Sequence, residues 1–326
     1  MKVLLVRKPG EISVEEREVP RKLPGKSLVR VLACGLCGTD YKIFSGETEA
    51  VYPVVPGHEI VGVVEESDLF EKGTLVVVDP NRACGTCGFC RKGKPNLCEN
   101  LKATGVTEDG GFAEYVLVDD AQLYPVERDV PSERAVFAEP LSCVLNGVNM
   151  VRGEGHERVL VVGAGSVGVI FTLLLGKIFV GAEIVLVEKD EKRASFVSET
   201  FDLKVGRPKG EYDLAVECSG TVEGFKTCFD HLKSGGTLLV FGVVPKGKAV
   251  EISPFSIYKK ELKIMGAHLN PFTMKEAVRI VESGEIAFEK LVTERLSLDG
   301  IKSYLEEGKR PVLKGVLSNE NLITVG

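Results

Sequence analysis

The sequence predicts an α/β protein of two domains, one of which is a doubly wound parallel sheet. Its 326 residues are enough chain for about two domains of ordinary size. From residue 158 onward, short apolar runs alternate with helical stretches, which is the order that parallel strands joined by helices produce. The preceding part of the chain instead carries a segment rich in cysteine, glycine and lysine between residues 81 and 100. These differences separate a parallel-sheet domain from a second domain of another kind.

The parallel sheet begins with a strand, a glycine-rich turn and a helix. Arg158–Val162 is a short apolar run, and an apolar helical stretch reaches Val180. The turn between them is Gly163-Ala-Gly165-Ser166-Val167-Gly168. A second strand, Glu183–Val187, ends at Glu188, about 20 residues past the last glycine of the turn. Strand, glycines, helix, strand and acid in this order favour a dinucleotide-binding fold much more strongly than the glycines alone.

The residues of this unit have separate tasks in cofactor binding. The first glycine permits the tight turn, the second lets the backbone approach the pyrophosphate, and the third lets helix and strand pack closely. The phosphates then lie at the helix N-terminus. Glu188 would accept hydrogen bonds from the adenosine ribose and repel a 2′-phosphate, which favours NAD(H) over NADP(H). Lys189 and Arg193 follow closely, and either they weaken that preference or they are solvated charges at the start of the next helix.

Further strands are predicted downstream of this unit. Asp213–Glu217 and Gly236–Val240 continue the parallel sheet, and Leu262–Met265 is interpreted as its sixth strand. The interval from Ser195 to Asp213 is short for both a strand and a crossover helix, so we expect this part of the fold to be shortened. Ligands of such sheets bind at the carboxyl ends of the strands. Three residues at those ends are therefore expected to contact the cofactor: Cys218, Ser219 and Gly242.

Four of the nine cysteines predict a metal site, and they are Cys84, Cys87, Cys90 and Cys98. Short Cys-x2-Cys steps let a loop wrap one ion, and four thiolates with no open position are typical of structural zinc. The same ligands suit an iron–sulfur cluster, and a reactive thiol cluster is a third interpretation. A disulfide framework is disfavoured because the cysteine count is odd and no export signal is recognised.

Cys37, His58 and Glu59 provide the ligand types of a second metal site. Cys37 lies in Cys34-Gly-Leu-Cys37-Gly-Thr39-Asp40, and His58-Glu59 follows a turn rich in proline. A thiolate, an imidazole and a carboxylate, with one position left for water or substrate, are typical of catalytic zinc. A purely structural histidine and a redox dithiol of Cys34 with Cys37 remain as alternatives.

Composition and charge exclude several other classes of protein. The net charge is −6 and no long basic run exists, so nucleic acids and anionic membrane surfaces are poor partners. Residues 159–176 are uncharged, but they contain four glycines and are followed by Lys177, which favours a strand, turn and buried helix over a membrane span. The N-terminus is charged too early for a signal peptide. We therefore expect a cytoplasmic protein.

Together these residues resemble the zinc-dependent medium-chain dehydrogenase/reductase family of the alcohol dehydrogenase superfamily. Within it, the polyol (sorbitol-like) and threonine dehydrogenase branches are the most similar. The motifs that carry the resemblance occur in family order: Cys37-Gly-Thr-Asp40, Gly57-His-Glu59, the four-cysteine segment, Gly110-Gly-Phe-Ala-Glu-Tyr115, Glu139-Pro-Leu141 and Gly163–Gly168. The resemblance implies a GroES-like β-rich catalytic domain from residues 1–142 and 269–326, with a structural zinc lobe at 81–100. A Rossmann domain, residues 143–268, is then inserted between them.

The resemblance also implies an active site and an activity. Cys37 and His58 correspond to ligands of the catalytic zinc, with a carboxylate from Glu59 or Glu139. Thr39 corresponds to the hydroxyl that takes the proton from the substrate. The implied enzyme holds two zinc ions per chain, is a homodimer or homotetramer, and transfers a hydride between NAD(H) and a secondary alcohol of a polyol, sugar or sugar acid.

Two alternatives and one departure from the family remain. A threonine-dehydrogenase-like oxidation of an amino alcohol is the nearest rival activity, and a zinc-stabilised dinucleotide-binding protein without catalysis is the rival from another class. Lys42 stands where many relatives carry a histidine of the proton relay. An ammonium group is a poorer relay at neutral pH. Either the proton leaves through water or the ribose alone, or Lys42 contacts an acidic group on the substrate, and the second option is our hypothesis.

Overall fold

The computed structural model describes residues 1–319, and the chain divides into two units. One unit contains Met1–Ser142 and the C-terminal residues from Asn270 onward, and the other contains Cys143–Leu269. The second unit is therefore an insertion within the sequence of the first.

Residues 1–151 form nine strands and four α-helices. The strands are β1 (Lys2–Lys8), β2 (Glu11–Glu16), β3 (Lys26–Leu36), β4 (Glu59–Glu66), β5 (Leu75–Val78), β6 (Asn81–Arg82), β7 (Lys102–Ala103), β8 (Tyr115–Asp119) and β9 (Leu123–Pro125). The helices are α1 (Gly38–Ser45), α2 (Gly88–Arg91), α3 (Ser132–Ala135) and α4 (Ala138–Val151). Short 3-10 turns occur at Pro95–Leu97 and Asp120–Gln122. β3 is almost entirely buried, which fits its long apolar sequence.

The inserted unit alternates strands and helices as predicted. Its elements are β10 (Arg158–Val162), α5 (Ser166–Ile178), β11 (Glu183–Val187), α6 (Glu191–Phe201), β12 (Tyr212–Glu217), α7 (Val222–Asp230), β13 (Leu232–Val240), α8 (Pro254–Lys260) and β14 (Lys263–Gly266). The five strands are parallel, in the order β11-β10-β12-β13-β14. β12 is buried along its whole length, as a strand with both faces covered must be.

This sheet has one strand fewer than the sequence analysis assumed. After α6, the chain makes only an isolated bridge between Leu186 and Val205. The interval expected to be short therefore has no room for a full strand, and the strand near Leu262–Met265 is the fifth in the sheet, not the sixth. The parallel sheet confirms the predicted α/β fold class.

The C-terminal residues return to the first unit and complete its main sheet. They form α9 (Met274–Ser283), a 3-10 turn at Phe288–Leu291, β15 (Val292–Leu296), α10 (Leu298–Glu307) and β16 (Lys314–Ser318). The seven-stranded sheet has the order β15-β16-β3-β4-β5-β9, and β8 pairs with β3 as well. β16 pairs with the last residues of β3, and β4 pairs along the other edge. Three segments that are distant in sequence therefore meet at the end of β3.

The main core of the first unit lies against this sheet. Its buried side chains come from β1, β3, β4 and β5 and from the helix α10, and they include Val3–Val6, Val29, Ile60 and Ile301. Within residues 1–319, no helix has the length and apolar character needed to cross a bilayer.

Candidate functional site

Cys37, His58 and Glu59 meet at the end of β3. Cys37 follows β3 directly as the N-cap of α1, and His58 and Glu59 stand where β4 begins. The antiparallel register places Glu59 opposite Gly35. One ligand atom from each of the three side chains lies within 4.8 Å of the other two. Any side chain at position 35 would overlap Glu59 Oε2, so the glycine is what lets the carboxylate enter the cluster.

The donor set of this cluster fits zinc. Zinc binds thiolate, imidazole and carboxylate at about 2.0–2.3 Å, so atoms this close together can share one tetrahedral ion. His58 Nδ1 is buried without a hydrogen-bond partner among the described residues, and Asp40 Oδ1 lies 3.7 Å from it. Burial by itself lowers the pKa of His58, but Cys37 and Asp40 raise it well above its usual range. A zinc ion bound here would neutralise the negative charges that surround His58.

Asp40 ties together the two loops that carry these ligands. Its Oδ2 accepts a hydrogen bond from Cys37 N at 2.7 Å, and its Oδ1 accepts one from Gly57 N at 3.2 Å. The side chain is fully buried, and burial raises the pKa of Asp40. At 3.7 Å, Asp40 Oδ1 is close enough to His58 Nδ1 for an electrostatic interaction but too far for a hydrogen bond. Asp40 belongs to the motif that contains Cys37, but no role was predicted for it from the sequence. A carboxylate three residues after the helix N-cap is nevertheless a recognisable capping signal.

Lys314 is a second residue that the sequence analysis missed. From β16, its Nζ donates to both oxygens of Glu59, at 2.7 and 2.8 Å, and contacts the Leu36 carbonyl oxygen at 3.5 Å. Both side chains are almost completely buried. Burial lowers the pKa of Lys314, but the negative charges of Glu59 and Cys37 outweigh this and raise it above its usual value. The sequence does contain a signal for such a pair. Lys314 lies within the apolar run Val312-Leu-Lys-Gly-Val-Leu317, and a cation buried in a strand needs a charged partner.

The remaining residues predicted for the catalytic site lie around this cluster. Glu139, in the first turn of α4, is buried but does not belong to the group of mutually close ligand atoms. Burial raises the pKa of Glu139 to about 7, with His58 lowering it and Glu59 raising it. Thr39 Oγ1 lies 3.8 Å from Cys37 Sγ. Burial lowers the pKa of Lys42, although the nearby charge of Cys37 acts in the opposite direction.

The four-cysteine segment forms a separate cluster. One sulfur atom from each of Cys84, Cys87, Cys90 and Cys98 lies within 4.8 Å of the others, and none forms a disulfide. Backbone N–H groups point at the sulfurs: Cys84 N lies 3.2 Å from Cys98 Sγ, and Cys87 N lies 3.3 Å from Cys84 Sγ. Hydrogen bonds from Thr86 lower the pKa of Cys84 to about 5. Burial and the neighbouring cysteines raise the pKa of Cys90 to about 12, so the convergence of the four sulfurs, and not a uniformly low thiol pKa, is what fits a tetrahedral zinc ion.

The glycine turn of the inserted unit has the geometry that phosphate binding requires. Gly163 has a φ of 102°, and a Cβ there would lie 2.8 Å from the Ser219 backbone. A Cβ on Gly168 would overlap the Gly163 carbonyl oxygen. Gly165 is the N-cap of α5, so Ser166 and Val167 open the helix. The unpaired N–H groups of this helix end can therefore receive a diphosphate.

Glu188 lies beside this turn at the end of β11. Its Oε2 accepts hydrogen bonds from Ala164 N at 3.1 Å and from Arg193 Nη1 at 3.2 Å. Its Oε1 accepts hydrogen bonds from the backbone N–H groups of Lys189 and Asp190. Arg193 is thus paired with the acid and is not merely a solvated charge, whereas Lys189 is exposed.

Cys218, Ser219 and Gly242 follow the carboxyl ends of β12 and β13. Ser219 contacts the glycine turn through its backbone, as described above, and Gly242 N donates to the carbonyl of Glu217 at 2.7 Å. All of the residues predicted for cofactor binding therefore lie at the carboxyl-terminal ends of the parallel strands or directly after them.

Two family models match the chain in the order of its segments. The alcohol dehydrogenase GroES-like domain matches residues 23–128, and the zinc-binding dehydrogenase family matches residues 167–283. D-altritol 5-dehydrogenase from Agrobacterium fabrum is 34% identical over 305 residues, which cover 89% of this chain and 90% of that protein. D-arabinitol dehydrogenase 1 from Uromyces fabae is 31% identical, covering 94% of this chain and 93% of that protein.

A solved structure shows the same architecture over nearly the whole chain. It is the crystal structure of a protein described as a zinc-binding dehydrogenase from Sinorhizobium meliloti, bound to NADP. The two chains superpose with a TM-score of 0.91 at 32% sequence identity, covering 97% of this chain and 98% of the other. The predicted combination of a GroES-like domain with a Rossmann sheet is thereby confirmed. The chain belongs to the zinc-dependent medium-chain dehydrogenase/reductase family, in its polyol and threonine dehydrogenase-like branch.

Proposed function

We propose that this protein is an NAD(H)-dependent zinc dehydrogenase that oxidises a secondary hydroxyl of a polyol, sugar or sugar acid, or reduces the matching ketone. The observation that carries this proposal is the convergence of Cys37, His58 and Glu59 to within 4.8 Å. A site built only for structure would close the metal with a fourth protein ligand. The polyol names of the two similar dehydrogenases support this substrate class.

In this proposal, Cys37, His58 and Glu59 hold the catalytic zinc. A zinc ion at this position supplies a Lewis acid for the substrate oxygen, and the bound dinucleotide supplies the hydride acceptor. Lys314 fixes the orientation of Glu59 through both carboxylate oxygens. Asp40 holds together the loops that carry Cys37 and His58. The Thr39 hydroxyl, 3.8 Å from Cys37 Sγ, would accept the proton of the substrate hydroxyl while releasing its own proton to water. Glu139 lines the buried surroundings of His58 and Glu59.

We assign the second zinc ion to Cys84, Cys87, Cys90 and Cys98. With all four positions occupied by protein sulfurs, this site has no place for a substrate and serves to hold its loop together. Metal analysis tests the assignment directly. Two zinc ions per chain are expected from the two clusters, and a single zinc would favour the non-catalytic binding protein instead.

The cofactor preference is assigned to Glu188. Its carboxylate is held in place by backbone N–H groups and by Arg193, so a 2′-phosphate beside it meets a fixed negative charge. We therefore expect a lower Kd for NAD(H) than for NADP(H). The similar crystal structure contains NADP. If NADP(H) binds to this protein as tightly as NAD(H), the residue to examine is Arg193, the cation next to Glu188.

A substrate panel tests the activity and its nearest rival. Hexitols, pentitols, hexonates, the matching ketones and threonine are assayed with NAD(H) and NADP(H) at the nicotinamide absorbance. Turnover of polyols or hexonates supports the proposal, and turnover of threonine alone refutes it. If Lys42 contacts an acidic group, Lys42→Met raises KM for hexonates much more than for hexitols. Equal changes in both KM values refute that role.

We also expect a homodimer or homotetramer. Among the described residues, β14 is paired on only one side, and Phe255 and Tyr258 of the preceding helix α8 are largely exposed. An open strand edge next to apolar side chains is a typical site of self-association. Light scattering after size exclusion measures the mass directly, and a monomer at micromolar concentration contradicts this expectation.

A further inference from the structure

Glu217 is a fully buried carboxylate that organises the turn after β12. It is the last residue of that strand and has no exposed surface. Its Oε1 accepts three hydrogen bonds, from Ser219 N at 2.7 Å, Ser219 Oγ at 2.5 Å and Gly220 N at 2.9 Å. One side-chain oxygen thus fixes the path of the backbone through residues 218–220.

The same residue also fixes the turn after β13. The carbonyl oxygen of Glu217 accepts hydrogen bonds from Phe241 N at 3.0 Å and Gly242 N at 2.7 Å. The two turns are in direct contact, because a Cβ on Gly242 would overlap both Gly220 N and Glu217 Oε2. Gly220 has a φ of 64°, and a Cβ there would lie 3.0 Å from the Val243 carbonyl oxygen. Glu217 therefore holds the first turn through its side chain, and the second through its backbone carbonyl and the packing of Oε2 against Gly242.

Burying the carboxylate of Glu217 within this turn is unfavourable in free energy. Glu217 Oε2 is buried without a hydrogen-bond partner among residues 1–319. A buried oxygen without a hydrogen-bond partner lowers the stability of the fold. The position of Oε2 next to Gly242 indicates why the carboxylate is nevertheless useful. An apolar side chain could pack against the second turn in this way, but it could not accept the three hydrogen bonds from the first turn.

The order of the strands indicates which part of the cofactor these turns face. The diphosphate-binding turn follows β10, and Glu188, the residue expected to bind the adenosine ribose, follows β11 on one side of it. β12 and β13 lie on the other side of β10. A dinucleotide lies across the carboxyl ends of such strands. With its adenosine over β11, its nicotinamide half extends over the turns that Glu217 holds.

We infer that Glu217 is a positioning residue for the nicotinamide half of the cofactor site, acting through the turns at 218–220 and 241–243. This inference rests on the proposed nicotinamide cofactor. Removing the side chain takes away the three hydrogen bonds that hold residues 218–220 and the packing of Oε2 against Gly242. It leaves the backbone hydrogen bonds to the second turn, the glycine turn after β10 and Glu188 intact. The expected defect is therefore confined to one half of the dinucleotide.

Binding of NADH and of ADP to Glu217→Ala tests the inference. ADP carries the adenosine and diphosphate but no nicotinamide. We expect the Kd for NADH to rise about tenfold or more, and the Kd for ADP to change by less than about threefold, because three hydrogen bonds to the nicotinamide side are lost and none to the adenosine side. Glu217→Gln keeps an acceptor oxygen for the three donors, so its NADH affinity should stay within about threefold of the wild type. In steady state, Glu217→Ala raises KM for NAD more than it lowers kcat.

Two further variants serve as a control for binding and as a replacement if Glu217→Ala does not fold. Glu223→Ala removes an exposed glutamate from the nearby helix α7 and is expected to leave both Kd values unchanged. If Glu217→Ala does not fold, Gly242→Ala replaces it, because the added Cβ pushes the two turns apart and should weaken NADH binding selectively.

Each outcome has a distinct meaning. Equal loss of NADH and ADP affinity, or unchanged NADH affinity in Glu217→Ala, overturns the positioning role and leaves the proposed function standing. If the wild-type protein binds ADP but neither NADH nor NADPH, the proposed function itself fails, and the role of Glu217 fails with it. Selective loss of NADH affinity supports the inference.

Discussion

Replacing Lys314 by methionine tests the buried ion pair behind the predicted metal ligand Glu59. Methionine has a similar length but no charge, so the carboxylate of Glu59 stays buried, with 1% of its side chain exposed, and loses its ammonium partner. Breaking a buried pair by removing one member costs about 3–5 kcal/mol. The unit that contains the pair has about 200 residues, for which each kcal/mol shifts Tm by about 2–4 °C. We therefore expect Tm to fall by about 6–20 °C in metal-free Lys314→Met.

The assay is thermal and urea unfolding of chelator-treated protein, followed by circular dichroism. Glu59→Gln combined with Lys314→Met removes both charges, so the double variant should recover more than about half of the lost stability. Lys302→Met is the control, because Lys302 belongs to an exposed pair with Glu306 whose loss should cost less than about 0.5 kcal/mol. A loss below about 1 kcal/mol in Lys314→Met, or a double variant no more stable than the single one, refutes the reasoning.

Three further predictions concern other parts of the chain. Gly168→Ala places a Cβ on the Gly163 carbonyl oxygen and should weaken NADH binding by about tenfold or more. In the control Gly176→Ala, in the same helix, the new Cβ meets only one atom, at 3.8 Å, and NADH binding should be unchanged. Fluorescence titration measures the Kd of both variants. Cys87→Ser should remove one zinc per chain in metal analysis while the cluster around Cys37 keeps its own, and loss of both ions would contradict two independent sites. The hydrogen bonds of Arg134 lower the pKa of Glu289, so the pair stabilises the fold at neutral pH and this contribution is lost as pH falls through the folded pKa. Arg134→Met should therefore cost up to about 1 kcal/mol in urea unfolding at pH 7 and almost nothing at pH 3, and an equal cost at both pH values would contradict the assignment.

Local sequence patterns predicted those parts of the molecule whose geometry is set by neighbouring residues. The glycine turn was predictable because Gly163 and Gly168 are five residues apart and meet in one turn. The cysteine cluster was predictable for the same reason, since Cys84–Cys98 wraps a single loop. Together with the periodicity of the flanking elements, these patterns predicted the carboxyl ends of the parallel strands to within one residue, although β13 begins at Leu232 and not at the predicted Gly236.

Contacts across the sheets were not predictable in the same way. The pairing of Glu59 with Lys314 depends on the registers of β3 with β4 and with β16, which no local pattern specifies. The roles of Asp40 and Glu217 depend on backbone N–H groups of other segments. The interval from Ser195 to Asp213 is visibly short in the sequence, but its length alone does not show that it makes a single bridge at Val205 in place of a strand. Both Glu59 and Glu139 have suitable chemistry for a metal ligand, and only the coordinates show that Glu59, and not Glu139, belongs to the group of close ligand atoms.

The separation of Glu59 and Lys314 has a consequence for biosynthesis. The two residues are 255 positions apart in the chain. At about 5–20 residues per second, the ribosome adds Lys314 on the order of 10–50 s after Glu59. The Rossmann unit is contiguous and is translated completely within that interval. A nascent chain therefore contains the whole sequence of the inserted parallel-sheet unit before Lys314 can neutralise the carboxylate of Glu59. A polypeptide whose synthesis stops ahead of β16 lacks the cation that pairs with this carboxylate.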